Sequence, residues 1–216
     1  NRVLRKPLWI TAGLLGAGIL IILCWRIYFN SKKLEQHFNS SVPRLISVTV
    51  FAGDENAPRD EESAGIWRSL GMPEDRIAFL GAEDNWWAAG PNGPCGPDTE
   101  IFYWVGEGLP PAGSNKGTDP DHWMEIWNNV FMEYNRIDAK TLNKLPAQNV
   151  DTGMGLERTI TVLQGKKSVY ETEIFQDIIR AIGEAAQYVY GTDALKDTSV
   201  RIIADHIRAS VFILGD

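Results

Sequence analysis

The ten residues Asn149-Val150-Asp151-Thr152-Gly153-Met154-Gly155-Leu156-Glu157-Arg158 constrain this chain more than any other stretch. They read as a strand ending in an acid, a turn with two glycines, then a helix carrying an early arginine. Glycine lets backbone pass close to a ligand because no Cβ stands in the way. Asp151 is a fixed negative charge at a strand end, suited to a substrate ammonium. Arg158 is planar and always charged, suited to a nucleotide phosphate or to stacking on a base. An ordinary strand-to-helix turn with a surface ion pair would use the same residues.

The blocks around this segment narrow the choice. Upstream stand Asp84-Asn85-Trp86-Trp87, then Gly93-Pro94-Cys95-Gly96-Pro97-Asp98-Thr99-Glu100-Ile101, then Glu125-Ile126-Trp127-Asn128-Asn129-Val130-Phe131. Downstream is Ala204-Asp205-His206-Ile207-Arg208. In this order the series resembles the alanyl-tRNA synthetases, a family of class II aminoacyl-tRNA synthetases, from about Arg44 to Asp216. Val150 to Arg158 is similar to class II motif 3.

The resemblance implies roles only where residues match. Asp151 stands where the family binds the alanine ammonium, and Trp87 where a tryptophan lines the amino-acid pocket. Asn128 and Val130 resemble pocket residues on the adjoining strand. Gly153 stands where a glycine keeps room for the substrate. Gly155 and Arg158 fall in the ATP-binding turn, with Arg158 matching the motif 3 arginine and so the implied catalytic residue. Arg201 and Arg208 are the candidate tRNA contacts. The implied substrates are alanine, ATP and tRNA(Ala), with Mg²⁺ on the phosphates, in a cytoplasmic ligase. Two departures accompany this. The family places motifs 1 and 2 upstream, and nothing from Asn1 to Pro43 resembles either. The family also continues beyond Asp216 into further helical, editing and C-terminal domains. Trp104 stands where many relatives carry an acid.

Composition bounds the alternatives. The chain has 216 residues and a formal charge of −7, from 21 basic and 28 acidic side chains. That balance argues against a general basic surface for nucleic acid and leaves a local patch open. The two cysteines are Cys24, in an apolar run, and Cys95, in a Gly/Pro segment, which fits a reducing compartment. No second Cys or His stands near Cys95 at ligand spacing, so no metal site is expected.

Leu8 to Trp25 is an 18-residue stretch without a charge. As a helix it would be roughly 27 Å long, close to the hydrocarbon thickness of a bilayer. Arg2, Arg5 and Lys6 precede it, and Arg26, Lys32 and Lys33 follow, so orientation stays undecided. A membrane anchor is the direct reading. A signal peptide, or a fusion in which unrelated sequence replaced motifs 1 and 2, are the alternatives.

The expected fold is α+β: part of a class II antiparallel sheet followed by helices, behind an N-terminal hydrophobic helix. The expected domains are 1–43 (hydrophobic segment and linker), 44–165 (partial catalytic core) and 166–216 (start of the helical tRNA-binding domain). Alternation of Val48 and Val50 with Ser47 and Thr49 predicts a strand over Leu45 to Phe51. Strands are also expected at Arg76 to Leu80, Thr99 to Trp104 and Glu125 to Tyr134. Gly90 to Pro97 and Gly106 to Asp121 are expected loops. Ser63 to Leu70 predicts a short helix. Spacings of three and four residues predict helices after Leu156, over Glu171 to Val189, and over Ser199 to Leu214 with Ile203, Ile207 and Val211 on one face. Two functions fit: a synthetase-derived ligase region, or a membrane-anchored, synthetase-like module that binds an amino acid without ligating it.

Overall fold

The computed structural model describes residues 45–138 and 141–215. The expected hydrophobic helix over Leu8 to Trp25 lies outside them. Among the described residues no helix is long and apolar enough to cross a membrane. The chain divides into two compact units between Gly155 and Leu156.

The first unit is built on one six-stranded sheet. Its strands are β1 (Ile46–Phe51), β2 (Ile77–Leu80), β3 (Trp86–Ala88), β4 (Gly93–Trp104), β5 (Trp123–Arg136) and β6 (Leu142–Met154). The order is β2-β1-β4-β5-β6, with β3 pairing the outer part of β4. Four of the pairings are antiparallel, but β1 and β2 run parallel. The sheet is therefore mixed, and the expectation of a purely antiparallel one is corrected. A parallel pair needs a crossover. Helix α1 (Glu61–Ser69) supplies it, followed by one 3-10 turn at Glu74–Arg76. Asp60 caps α1, its carboxylate accepting from the Ser63 N–H at 2.9 Å.

Val48 and Val50 are fully buried, and so are the alternating Ser47 and Thr49. Strand β1 is thus covered on both faces. On one face Trp67 of α1 donates its indole N–H to Thr99 Oγ1 at 2.9 Å, and that hydroxyl donates to the Thr49 carbonyl. On the other, Asn85 at the end of the one-turn helix α2 (Ala82–Asn85) donates to Thr49 Oγ1 at 2.8 Å.

Two corrections follow from how β4 is built. Gly93 to Pro97, expected as loop, is strand. The register to β5 shifts between Cys95 and Asp98. At that irregularity a Cβ on Gly96 would run into the Phe131 carbonyl, so glycine is required there. Near it Phe51, Ala57, Cys95 and Tyr134 form a small apolar cluster, with Trp86 packed against it. At the far end Phe102, Trp104 and Trp123 form a second. Trp104 is here a core side chain. The long 106–121 loop is fixed by buried Arg76, which donates to the carbonyls of Ser114, Pro110 and Pro111 and lies over the Trp123 ring.

The second unit contains α3 (Leu156–Leu163), a 3-10 turn at Val169–Glu171, α4 (Glu173–Ala186) and α5 (Ala194–Gly215). Phe175 and Ile179 of α4 pack on Val200 and Ala204 of α5. The expected face of α5 is corrected: Ile203, Ile207 and Val211 are exposed, and the packed stripe is the one through Asp197, Val200 and Ala204. Asp197 is held by the Tyr188 hydroxyl at 2.7 Å and the Gly191 N–H at 2.8 Å. Those bonds keep its carboxyl below the usual range.

Candidate functional site

Strand pairing brings four of the five expected amino-acid pocket residues together. Across β5 and β6, Val130 pairs with Asp151 and Asn128 pairs with Gly153. Directly opposed residues in a ladder have Cβ atoms about 4.5–5.5 Å apart and share a face. The rows continue onto β4, where Asp98 pairs with Val130 and Glu100 with Asn128. Two parallel rows result: Asp98–Val130–Asp151 and Glu100–Asn128–Gly153. Alternation along each strand puts all six on the face opposite Thr99 and α1.

The turn expected after Asp151 is shorter than its sequence suggests. Strand β6 runs through Asp151 and Gly153 to Met154, and only Gly155 separates it from α3. Gly153 has no left-handed φ, and a Cβ built there meets nothing within 4 Å. The backbone does not require glycine at this position, and the space in front of it is open. Asp151 is exposed, and its Oδ1 accepts from the Thr152 N–H at 2.8 Å.

Asn128 Nδ2 donates to Glu100 Oε1 at 3.2 Å. Its Oδ1 is buried and has no hydrogen-bond partner. Asp98 is 3% exposed, and its Oδ1 accepts from Asn85 Nδ2 at 2.9 Å. Burial pushes the Asp98 carboxyl up to about 6. The amides of Asn85 and Asn128 oppose this by favouring the charged form, while Glu125 and Asp84 add to it. Asp98, Glu100 and Asn85 went unassigned in the sequence because Gly93 to Pro97 reads as a loop that isolates the acid. The available signal was the i, i+2 spacing of Asp98 and Glu100 running into a strand.

Trp87 is half-buried on β3, paired with Gly96, two positions before Asp98 on β4. It flanks the rows without belonging to them.

The family model described as tRNA synthetases class II (A) matches residues 21–216. The chain belongs to this family. The match overlaps the last residues of the apolar Leu8 to Trp25 stretch. Alanine–tRNA ligase of Treponema denticola is 55% identical over 185 residues, covering 84% of this chain and 30% of that protein. That of Treponema pallidum is 51% identical over 177 residues (81% and 29%), and that of Anaeromyxobacter sp. 47% over 179 residues (79% and 20%). The chain thus spans less than a third of these relatives' length.

In this class II synthetase chain the remaining candidate residues lie in or next to the second unit. Gly155 closes the first unit, and Arg158 is half-buried on α3. Arg208 forms an ion pair with Glu157 at 2.5 Å and lies over the rings of Phe175 and Phe212. Arg201 donates to the Tyr190 hydroxyl at 2.5 Å and sits over Tyr170 and Tyr190. Both guanidinium groups are engaged within their own unit. His206 is exposed beside Asp205.

Proposed function

We propose that this chain carries the amino-acid-binding part of an alanine–tRNA ligase site. The observation that carries the reading is the in-register pairing of Val130 with Asp151 and of Asn128 with Gly153. It sets a carboxylate, an apolar side chain, an amide and an open glycine side by side on one face of the sheet. Asp151 takes the ammonium. Val130 offers apolar contact to the methyl group, Gly153 leaves the room, and Trp87 borders the patch. The similarity to alanine–tRNA ligases supports the choice of amino acid.

The reaction in this reading has two steps. An alanine carboxylate oxygen attacks the ATP α-phosphorus, the bond to the β-phosphate oxygen breaks, and pyrophosphate leaves. A terminal adenosine hydroxyl of tRNA(Ala) then attacks the alanyl carbonyl, and AMP leaves. The protein's share is placement and charge stabilisation. Gly155 and Arg158 serve ATP, and Arg201 and Arg208 are the candidate tRNA contacts. Mg²⁺ comes with the ATP phosphates, as it commonly does; among the described residues no group of three or more His, Cys, Asp or Glu is placed to hold a metal. Residues 44–165 form the catalytic part and 166–216 begin the helical tRNA-binding part.

Calorimetric titration with alanine and with propionate, which lacks the ammonium, tests the reading. Alanine should bind and propionate should not. Equal binding of both would overturn recognition by Asp151.

A further inference from the structure

The amino-acid patch has a buried layer behind it. Asn85, fully buried, donates to Thr49 Oγ1, to the Asp98 carbonyl at 3.3 Å and to Asp98 Oδ1. Asp98 is therefore tied to α2 through Asn85, which is itself tied to β1. Beside it, Asn128 lies between two acids, since its β4 partner is Glu100 and Asp98 is the partner of Val130 two positions along. A carboxamide flanked by carboxylates turns its N–H groups to them and its oxygen away. Asn128 does so: Nδ2 meets Glu100, the amide favours charge on Asp98, and Oδ1 is left buried without a donor. An unpaired buried acceptor is costly unless a ligand supplies the missing donor. The row geometry puts Asn128 beside Gly153 and diagonal to Asp151, where the ammonium would lie.

We propose that Asp98 is a positioning residue for amino-acid binding: with Glu100 it fixes the orientation of the Asn128 amide, so that the Asn128 oxygen accepts a second N–H of the ammonium held by Asp151. The proposal rests on the amino-acid-binding reading above, and adds to it a residue that does not touch the substrate. Among the described residues the charged neighbours of Asp98 are acidic: Asp84 in α2, Glu100 on its own strand, Glu125 on β5 and Asp151 on β6. When Asp98 protonates, at a pH near 6, it becomes a donor itself. The Asn128 amide then loses one of the two charges that orient it.

The test uses the full chain, with two readouts. The first needs no ligand: the assigned side-chain ¹⁵N–¹H₂ signals of Asn128 are followed by NMR from pH 5 to 7.5. They should move with a midpoint near 6 in the wild type and stay still in Asp98→Asn. The second is alanine affinity by calorimetry. Asp98→Asn should weaken it about tenfold at pH 7.5 and flatten its dependence on pH, while thermal stability does not fall. Asn128 signals indifferent to pH in the wild type would overturn the proposal, as would unchanged alanine affinity in a folded Asp98→Asn. If the variant fails to fold, the wild-type titration still decides. If wild-type chain does not bind alanine, the amino-acid reading fails, and the NMR titration separately decides whether Asp98 orients Asn128.

Discussion

Val130 and Asp151 are ladder partners on β5 and β6, so the exposed Asp151 carboxylate sits against a buried apolar side chain. An ammonium bound by Asp151 would therefore place its substituent over Val130. A small apolar side chain fits there, and a charged one would be desolvated without a partner.

Gly153→Ala separates space from backbone. The backbone at Gly153 is ordinary and a Cβ meets no atom. Alanine there should leave the thermal midpoint within a few degrees, with a gain of about 0.4–1 kcal/mol from the stiffer unfolded chain. Alanine binding should be lost. A melt combined with calorimetry checks both halves; a folded variant that binds normally would show the space is not used.

Asp98→Asn should stabilise the protein at neutral pH. The folded carboxyl titrates at about 6 against an ordinary 3.8, so the folded state binds the proton more tightly. Stability on this account is highest below the ordinary value and declines as pH rises toward 6. The variant mimics the protonated form. Its gain should be on the order of 1–3 kcal/mol at pH 7.5 and vanish below pH 4. Urea melts across that range measure it, and a destabilised variant at pH 7.5 would contradict it.

Arg76→Met should loosen the 106–121 loop. It removes the donor to the Ser114, Pro110 and Pro111 carbonyls while keeping an apolar stem against Trp123. Leaving buried carbonyls unpaired should cost about 2–4 kcal/mol. A lowered melting point with faster proteolysis inside that loop is the expected result.

Much of this fold is legible in the sequence. Val48 and Val50 announce β1, and Ile160 and Ile178 fall on helices as their spacing predicts. Val150 and Asp151 fall on a strand, as expected. What stays hidden is long-range pairing. Nothing local in Ile77 to Leu80 says that it will lie parallel to β1. The prolines and glycines before Asp98 suggest a loop, and only pairing with β3 and β5 makes that segment a strand. Strand β6 likewise continues past Asp151, because β5 extends alongside to pair with Gly153 and Met154. Asn128 and Gly153 lie 25 positions apart and become neighbours through register alone. For α5 the misleading feature is apolar residues on two stripes; packing on Phe175 and Ile179 selects Val200 and Ala204.

The central claim is that Asp151 holds the ammonium of alanine on the face shared with Val130, Asn128 and Gly153. Calorimetric titration of alanine into the wild-type chain and into Asp151→Asn tests it most directly. A carboxylate–ammonium contact typically loses ~2–5 kcal/mol when one partner is truncated. The variant should therefore bind at least about 30-fold more weakly while melting at the same temperature. Equal affinity in the two proteins would contradict the account.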